Sequence, residues 1–131
     1  MSDQSLKGKI AVVTGASRGL GRAMAISLAQ AGASIACVGR NEEKLLETKA
    51  LLNDIGVDSD TFVCDVRYED QVSDLEKKVS KRFGAIHILV NNAGTAIRKN
   101  LIEFSLDEWN TVMDTNLTGV FLCSRAFVPH M

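Results

Sequence analysis

The chain has 131 residues, 46% of them hydrophobic and 24% charged, with a formal net charge of −1 at pH 7. These are averages for one globular domain, expected over residues 1–131, and the balanced charge gives no electrostatic reason to expect nucleic acid or an anionic membrane as partner. The opening "MSDQSLKGK" lacks an apolar segment and no later apolar run approaches the roughly 20 residues that span a bilayer, so a soluble, cytoplasmic protein is expected.

Residues 9–15, "KIAVVTG", form a short apolar run ending in glycine, the composition of a buried strand. A helix follows, starting near Gly19, with Met24, Leu28 and Ala31 as its expected apolar face and Gly32 as its stop. "SIACVG" (34–39) returns to strand composition. Asn41 is placed to cap a second helix with Glu42 and Glu43 in its first turn, and Leu45, Thr48, Leu52 and Ile55 trace one face up to Gly56. "DTFVCDV" (60–66) reads as a third strand, Val72, Leu75, Val79 and Phe83 mark a third helix ended by Gly84, and "IHILVNNAG" (86–94) supplies a fourth strand. From Ser105 or Asp107 onward the chain reads as one long helix, with Ser105 and Glu108 spaced for a capping box.

Apolar strands alternating with helices of three to four turns predict βαβ units, and so a doubly wound α/β fold with a parallel sheet covered on both faces. Right-handed crossovers, with a return to the free side of the first strand, predict the strand order 3-2-1-4. Cys37, Cys64 and Cys123 are odd in number, far apart and set among apolar residues, which suits reduced core thiols. His87 and His130 share no ligand spacing with each other or with a cysteine, so no metal site is expected.

In such a sheet a ligand lies outside the carboxyl ends of the strands. Here those ends read "TGASRGLG" (14–21), Gly39-Arg40-Asn41, Asp65 and Asn91-Asn92-Ala93-Gly94, each small, amide, acidic or basic. Gly15 allows a sharp turn out of the first strand, Gly19 lets a ligand approach the backbone, and Gly21 lets the helix pack close to the sheet. The helix start above them presents free N–H groups and a positive end, which suits a pyrophosphate. The Gly-Lys-Ser/Thr ending of a nucleotide-hydrolase phosphate loop is missing. At the end of the second strand, where an acidic residue would grip a ribose and repel a 2′-phosphate, Gly39 makes room and Arg40 offers a planar fork of donors, with Arg18 approaching from the glycine-rich turn. This favours NADP(H) over NAD(H); the competing reading leaves both arginines solvated and gives the ribose to Glu42.

"TGASRGLG", Asp65-Val66, "NNAG" and "MDTNLTGVF" together resemble the short-chain dehydrogenase/reductase family, in particular the single-domain branch that includes 3-oxoacyl carrier-protein reductases and sugar or polyol dehydrogenases. The resemblance implies an oxidoreductase moving a hydride between a nicotinamide cofactor and a small carbonyl or alcohol substrate, in a parent protein that is a homo-oligomer. It further implies that Gly15, Ala16, Ser17, Arg18, Gly19, Leu20 and Gly21 bind the cofactor diphosphate, Arg18 and Arg40 the 2′-phosphate, Asp65 and Val66 the adenine, and Asn92, Ala93 and Gly94 the adenosine ribose and neighbouring backbone. Asn91 braces the sheet, and Asn116 corresponds to the catalytic asparagine whose backbone carbonyl holds a water in the proton relay. The family's Ser and Tyr-x-x-x-Lys have no counterpart: the single tyrosine, Tyr68, is followed four residues later by Val72. By this resemblance the chain is the N-terminal half of a longer enzyme, inactive alone; a catalytically silent nucleotide-binding or interaction module is the alternative.

Overall fold

The computed structural model describes residues 4–131. Four strands, β1 (Ile10–Thr14), β2 (Ser34–Gly39), β3 (Ser59–Val63) and β4 (Ile88–Val90), form one parallel sheet in the order β3-β2-β1-β4. Between them run α1 (Gly19–Gln30), α2 (Glu42–Ile55) and α3 (Glu69–Phe83), and after a short 3-10 turn at Leu101–Glu103 come α4 (Leu106–Met113) and α5 (Gly119–Phe127).

The alternation of side chains along the strands sorts the core into two layers. Ala11, Val13, Ile35 and Cys37 face α1 and α2, meeting Ala25, Ala29, Leu45 and Leu52. Val12, Ala36 and Val38 face the other way and pack with Val72, Leu75 and Val79 of α3 and Leu122, Cys123 and Phe127 of α5. All three cysteines are free and buried. Loss of hydration pushes the thiols of Cys37 and Cys64 up to about 12 and that of Cys123 up to about 11.

Helix ends follow local chemistry. The Asn41 side chain accepts from the Lys44 amide at 3.0 Å, Ser105 and Glu108 close a reciprocal capping box, and Gly32 and Gly56 take φ of 102° and 95° just past α1 and α2.

Four expectations need correction. The buried face of α1 is Gly21, Ala25 and Ala29 rather than Met24, Leu28 and Ala31. Small side chains at a spacing of four let this helix lie close on the sheet, and the larger ones ride at its margins. Strand β3 is not apolar throughout: Val63 is exposed and only Ser59 is buried, as befits a strand at the sheet edge. The fourth strand pairs over three residues only, because the "NNAG" stretch leaves the sheet for the cleft. The long helix is not regular; between α4 and α5 lies a π-turn, Asp114–Thr118. One consequence of its position is that Gly119 comes to rest on Val66, where a β-carbon would stand 2.6 Å from Val66 Cγ2.

Candidate functional site

The carboxyl ends of all four strands open on a single cleft of about 870 Å³. Of the residues singled out in the sequence, Gly15, Ser17, Arg18, Gly19 and Leu20 line it from β1, Gly39 and Arg40 from β2, Asp65 and Val66 from beyond β3, and Asn92, Ala93 and Gly94 from beyond β4. Ala16, Gly21 and Asn116 stand outside its wall. Ala16 is buried with its side chain in the α1–α2 core layer, and Gly21 lies under the turn. The volume suits a small-molecule or cofactor site.

The floor of the cleft is built around Gly15. Gly15 and Gly19 adopt φ of 64° and 55°, conformations that side-chain-bearing residues rarely enter, and open space lies where a β-carbon on Gly19 would point. Helix α1 starts there without a side-chain cap and without an acid in its first turn. Helices α2, α3 and α4 each carry acids in that position, so only α1 among these four keeps its positive end uncompensated.

Thr14, which the sequence reading passed over, turns the fourth strand into the cleft. Its hydroxyl accepts from the amides of Asn92 and Ala93, both at 2.9 Å, and donates to the Val90 carbonyl at 3.3 Å. The Asn92 amide group reaches back to the Gly15 carbonyl at 3.3 Å. Strands one and four are thereby tied together beyond their ladder. The Asn91 side chain donates to the Ser124 hydroxyl of α5 at 3.2 Å.

At the end of β2 the room beside Gly39 is not vacant: a β-carbon there would meet Leu45 Cδ2 at 3.2 Å and Ser17 Cβ at 3.5 Å. Gly39 therefore serves the packing of α2 against the turn, and it lines the cleft together with exposed Arg40. Across the cleft Asp65 is gripped by Arg67, whose Nη2 donates at 2.8 Å and Nε at 3.1 Å. That guanidinium, more than any other neighbour, holds the Asp65 carboxyl below the usual carboxylate range, and the positive charge of Arg40 adds to the effect. Asp65 is an anion at neutral pH, an acceptor on the rim.

Asn116 sits in the π-turn with its side chain paired to the backbone of Thr95: Nδ2 donates to the Thr95 carbonyl at 2.9 Å and Oδ1 accepts the Thr95 amide at 2.8 Å. The loop after "NNAG" is held to the helix by that clamp, and Gly94 fits beneath it because a β-carbon would press on Asn116 Oδ1 at 3.3 Å. Next to it Thr115 is buried and lines the cleft, a position the sequence reading did not select.

A family model described as short chain dehydrogenase matches residues 9–131. The chain belongs to the short-chain dehydrogenase family. It is 42% identical over 130 residues to the 2-dehydro-3-deoxy-D-gluconate 5-dehydrogenase of Escherichia coli, covering 99% of this chain and 51% of that protein. A metagenomic short-chain oxidoreductase solved in complex with NADP superposes with a TM-score of 0.92 at 35% identity, covering 97% of this chain and 58% of the other. An NAD+-bound xylitol dehydrogenase gives 0.92 at 34%, covering 96% and 49%. The chain spans about half the length of the curated relatives it matches.

Within this short-chain dehydrogenase chain the single tyrosine lies away from the cleft wall. Tyr68 precedes α3, exposed, with the Arg67 guanidinium 5.1 Å above its ring, and Val72 four residues on is buried in the core. Among the described residues no helix is long and apolar enough to cross a membrane.

Proposed function

We propose that this chain holds NADP(H) for an oxidoreductase that interconverts a carbonyl and an alcohol. One observation carries the reading: Gly19, Arg40, Asp65 and Asn92, from four different strand ends, face a shared cleft. The cleft fits a dinucleotide, with an uncompensated helix N-terminus and open space above Gly19 for a diphosphate, two arginines in its wall, and an acceptor at Asp65. Gly15 through Gly21 would hold the diphosphate, Asp65 and Val66 the adenine, and Asn92 through Gly94 the adenosine ribose. When bound, the nicotinamide supplies or accepts the hydride. The clamp of Asn116 on Thr95 would keep the adjoining loop in place beside it.

The preference for the phosphorylated cofactor is argued from Arg18 and Arg40, since the two solved neighbours carry NADP in one case and NAD+ in the other. A hydrogen bond to a charged group contributes about 1.5–3 kcal/mol, a preference of roughly 10- to 150-fold for each good contact. Glu42, which also lines the cleft, is the group that would favour NAD(H) if it took the ribose. Calorimetric titration of the chain with NADPH and NADH, repeated on Arg40→Asp, tests both points. We expect tighter NADPH binding and loss or reversal of that preference in the variant; an unchanged ratio rejects the cofactor assignment, and no binding of either dinucleotide rejects the site.

The substrate is proposed to be a small carbonyl or alcohol compound. Self-association of the whole protein is supported by the exposed Leu117, Phe121 and Val128 along the α5 region, and a cytoplasmic setting suits the three buried free thiols. Because the 131 residues contain no Tyr-x-x-x-Lys pair, the second reading is a chain that binds the dinucleotide without turnover. Carbonyl-dependent oxidation of NADPH by the purified chain would exclude it.

A further inference from the structure

We propose that Arg22 and Thr48 are positioning residues that aim the backbone amides of the glycine-rich turn at the ligand's diphosphate. The inference rests on the dinucleotide reading and adds to it two side chains outside the cleft wall.

The turn between the two glycines of positive φ is anchored from behind by hydrogen bonds to each carbonyl in its middle. Thr48, fully buried on α2, donates its hydroxyl proton to the Ala16 carbonyl at 2.8 Å. Arg22, on α1, donates from Nη2 to the Ser17 carbonyl at 2.6 Å and from Nε to the Thr48 oxygen at 2.9 Å. The same Nη2 reaches the Lys44 carbonyl at 3.2 Å. A hydroxyl has one proton, so with Thr48 donating to Ala16 its oxygen is free to accept from Arg22, and the three groups form a satisfied chain. Ala16 itself donates its amide to the Val38 carbonyl at 3.0 Å.

A trans peptide is planar, and its C=O and N–H point in opposite directions. Drawing the carbonyls of Ala16 and Ser17 back toward α2 therefore turns the amides of Ser17 and Arg18 the other way. Ser17 and Arg18 are wall residues of the cleft. Donors held in place before a phosphate arrives cost no reorganisation when it does. Ion pairing is the lesser part of Arg22's role, since its approach to Glu47, at 3.5 Å, is the longest of its contacts. The planar fork that can serve the Ser17 carbonyl, the Lys44 carbonyl and the Thr48 hydroxyl together is a property of arginine that lysine lacks.

The test compares a ligand that has the diphosphate with one that does not. NADPH affinity is measured by calorimetry, and 2′-AMP, which carries the 2′-phosphate alone, is titrated by NMR shift changes, for the unmodified chain, Thr48→Val, Thr48→Ser and Arg22→Lys. Thr48→Val and Arg22→Lys are expected to weaken NADPH about tenfold or more while leaving 2′-AMP within about twofold, and Thr48→Ser, which restores the hydroxyl, should bind like the unmodified chain. Equal losses for both ligands, or no loss for NADPH, overturn the inference. Should Arg22→Lys fail to fold, the Thr48→Val and Thr48→Ser pair decides alone. Failure of the unmodified chain to bind NADPH removes the dinucleotide reading itself.

Discussion

A β-carbon on Gly21 would stand 1.9 Å from the carbonyl oxygen of Gly15 and 2.5 Å from the side-chain nitrogen of Asn92. Helix α1, the turn and the end of β4 thus meet at one point where there is no volume for a methyl group. Gly21→Ala must displace backbone, and we expect destabilisation of about 1–3 kcal/mol, measured by urea unfolding, with dinucleotide binding lost at the same time. Gly19→Ala should separate the two effects. Open space receives its β-carbon, so packing is spared, whereas φ of 55° costs about 1–2 kcal/mol and the methyl group points where a ligand would lie.

The grip of Arg67 on Asp65 has a defined pH signature. The folded-state carboxyl is held below its ordinary value, so the pair's contribution is fully present above the unfolded value near 3.9 and is lost as pH falls through the depressed folded value. Arg67→Met is expected to cost about 1 kcal/mol at pH 7, and the difference from the unmodified chain should shrink on acidification below about pH 4. Denaturant midpoints at neutral and acid pH measure it; a difference that stays constant across that range would sink the assignment.

Asn116 offers both a donor and an acceptor to the backbone of one residue, Thr95. Asn116→Ala loses both bonds and should cost about 1 kcal/mol. In Asn116→Asp at pH 7 a carboxylate oxygen replaces the donor and faces the Thr95 carbonyl, so this variant should be at least as unstable as the alanine form and should recover as the acid is protonated. Faster hydrogen exchange at the Thr95 amide reports release of the loop in either case.

The three thiols should be silent in the native chain. With values near 11 to 12, none is thiolate at pH 8, and burial denies access as well. A chromogenic disulfide reagent is expected to titrate no cysteine in the folded protein and all three in urea. Because the folded values are raised, the thiols favour the folded state below about pH 8.5, the unfolded value, and that advantage is lost as pH rises toward the folded values. Stability should accordingly fall between about pH 9 and 12.

Most of the architecture is legible in the sequence because it is set by local sterics. Asn41 and the Ser105–Glu108 pair mark helix starts, and Gly32 and Gly56 mark stops, through contacts within three or four residues. The alternation of apolar strand and amphipathic helix, together with the handedness of crossovers, leads to the order β3-β2-β1-β4 and so brings the polar strand ends to one edge. Where the pattern misled, at α1, apolar residues occupy several faces, and periodicity does not say which of them lies nearest the sheet.

Thr48 shows the limit most plainly. In the sequence it is one member of an apolar helix face; in the fold it is a buried hydroxyl bonded to a carbonyl 32 residues away. Thr14 reaches the amide of Asn92, 78 residues on, and Arg22 a helix 26 residues on. The chain by itself determined most of its elements, their order and the edge at which the polar strand ends gather, since backbone conformation and hydrophobic periodicity act over a few neighbours. Only the tertiary structure decided which side chains hold that edge in shape, the π-turn and the buried face of α1. Those depend on how closely two distant surfaces approach, and no local pattern encodes that distance.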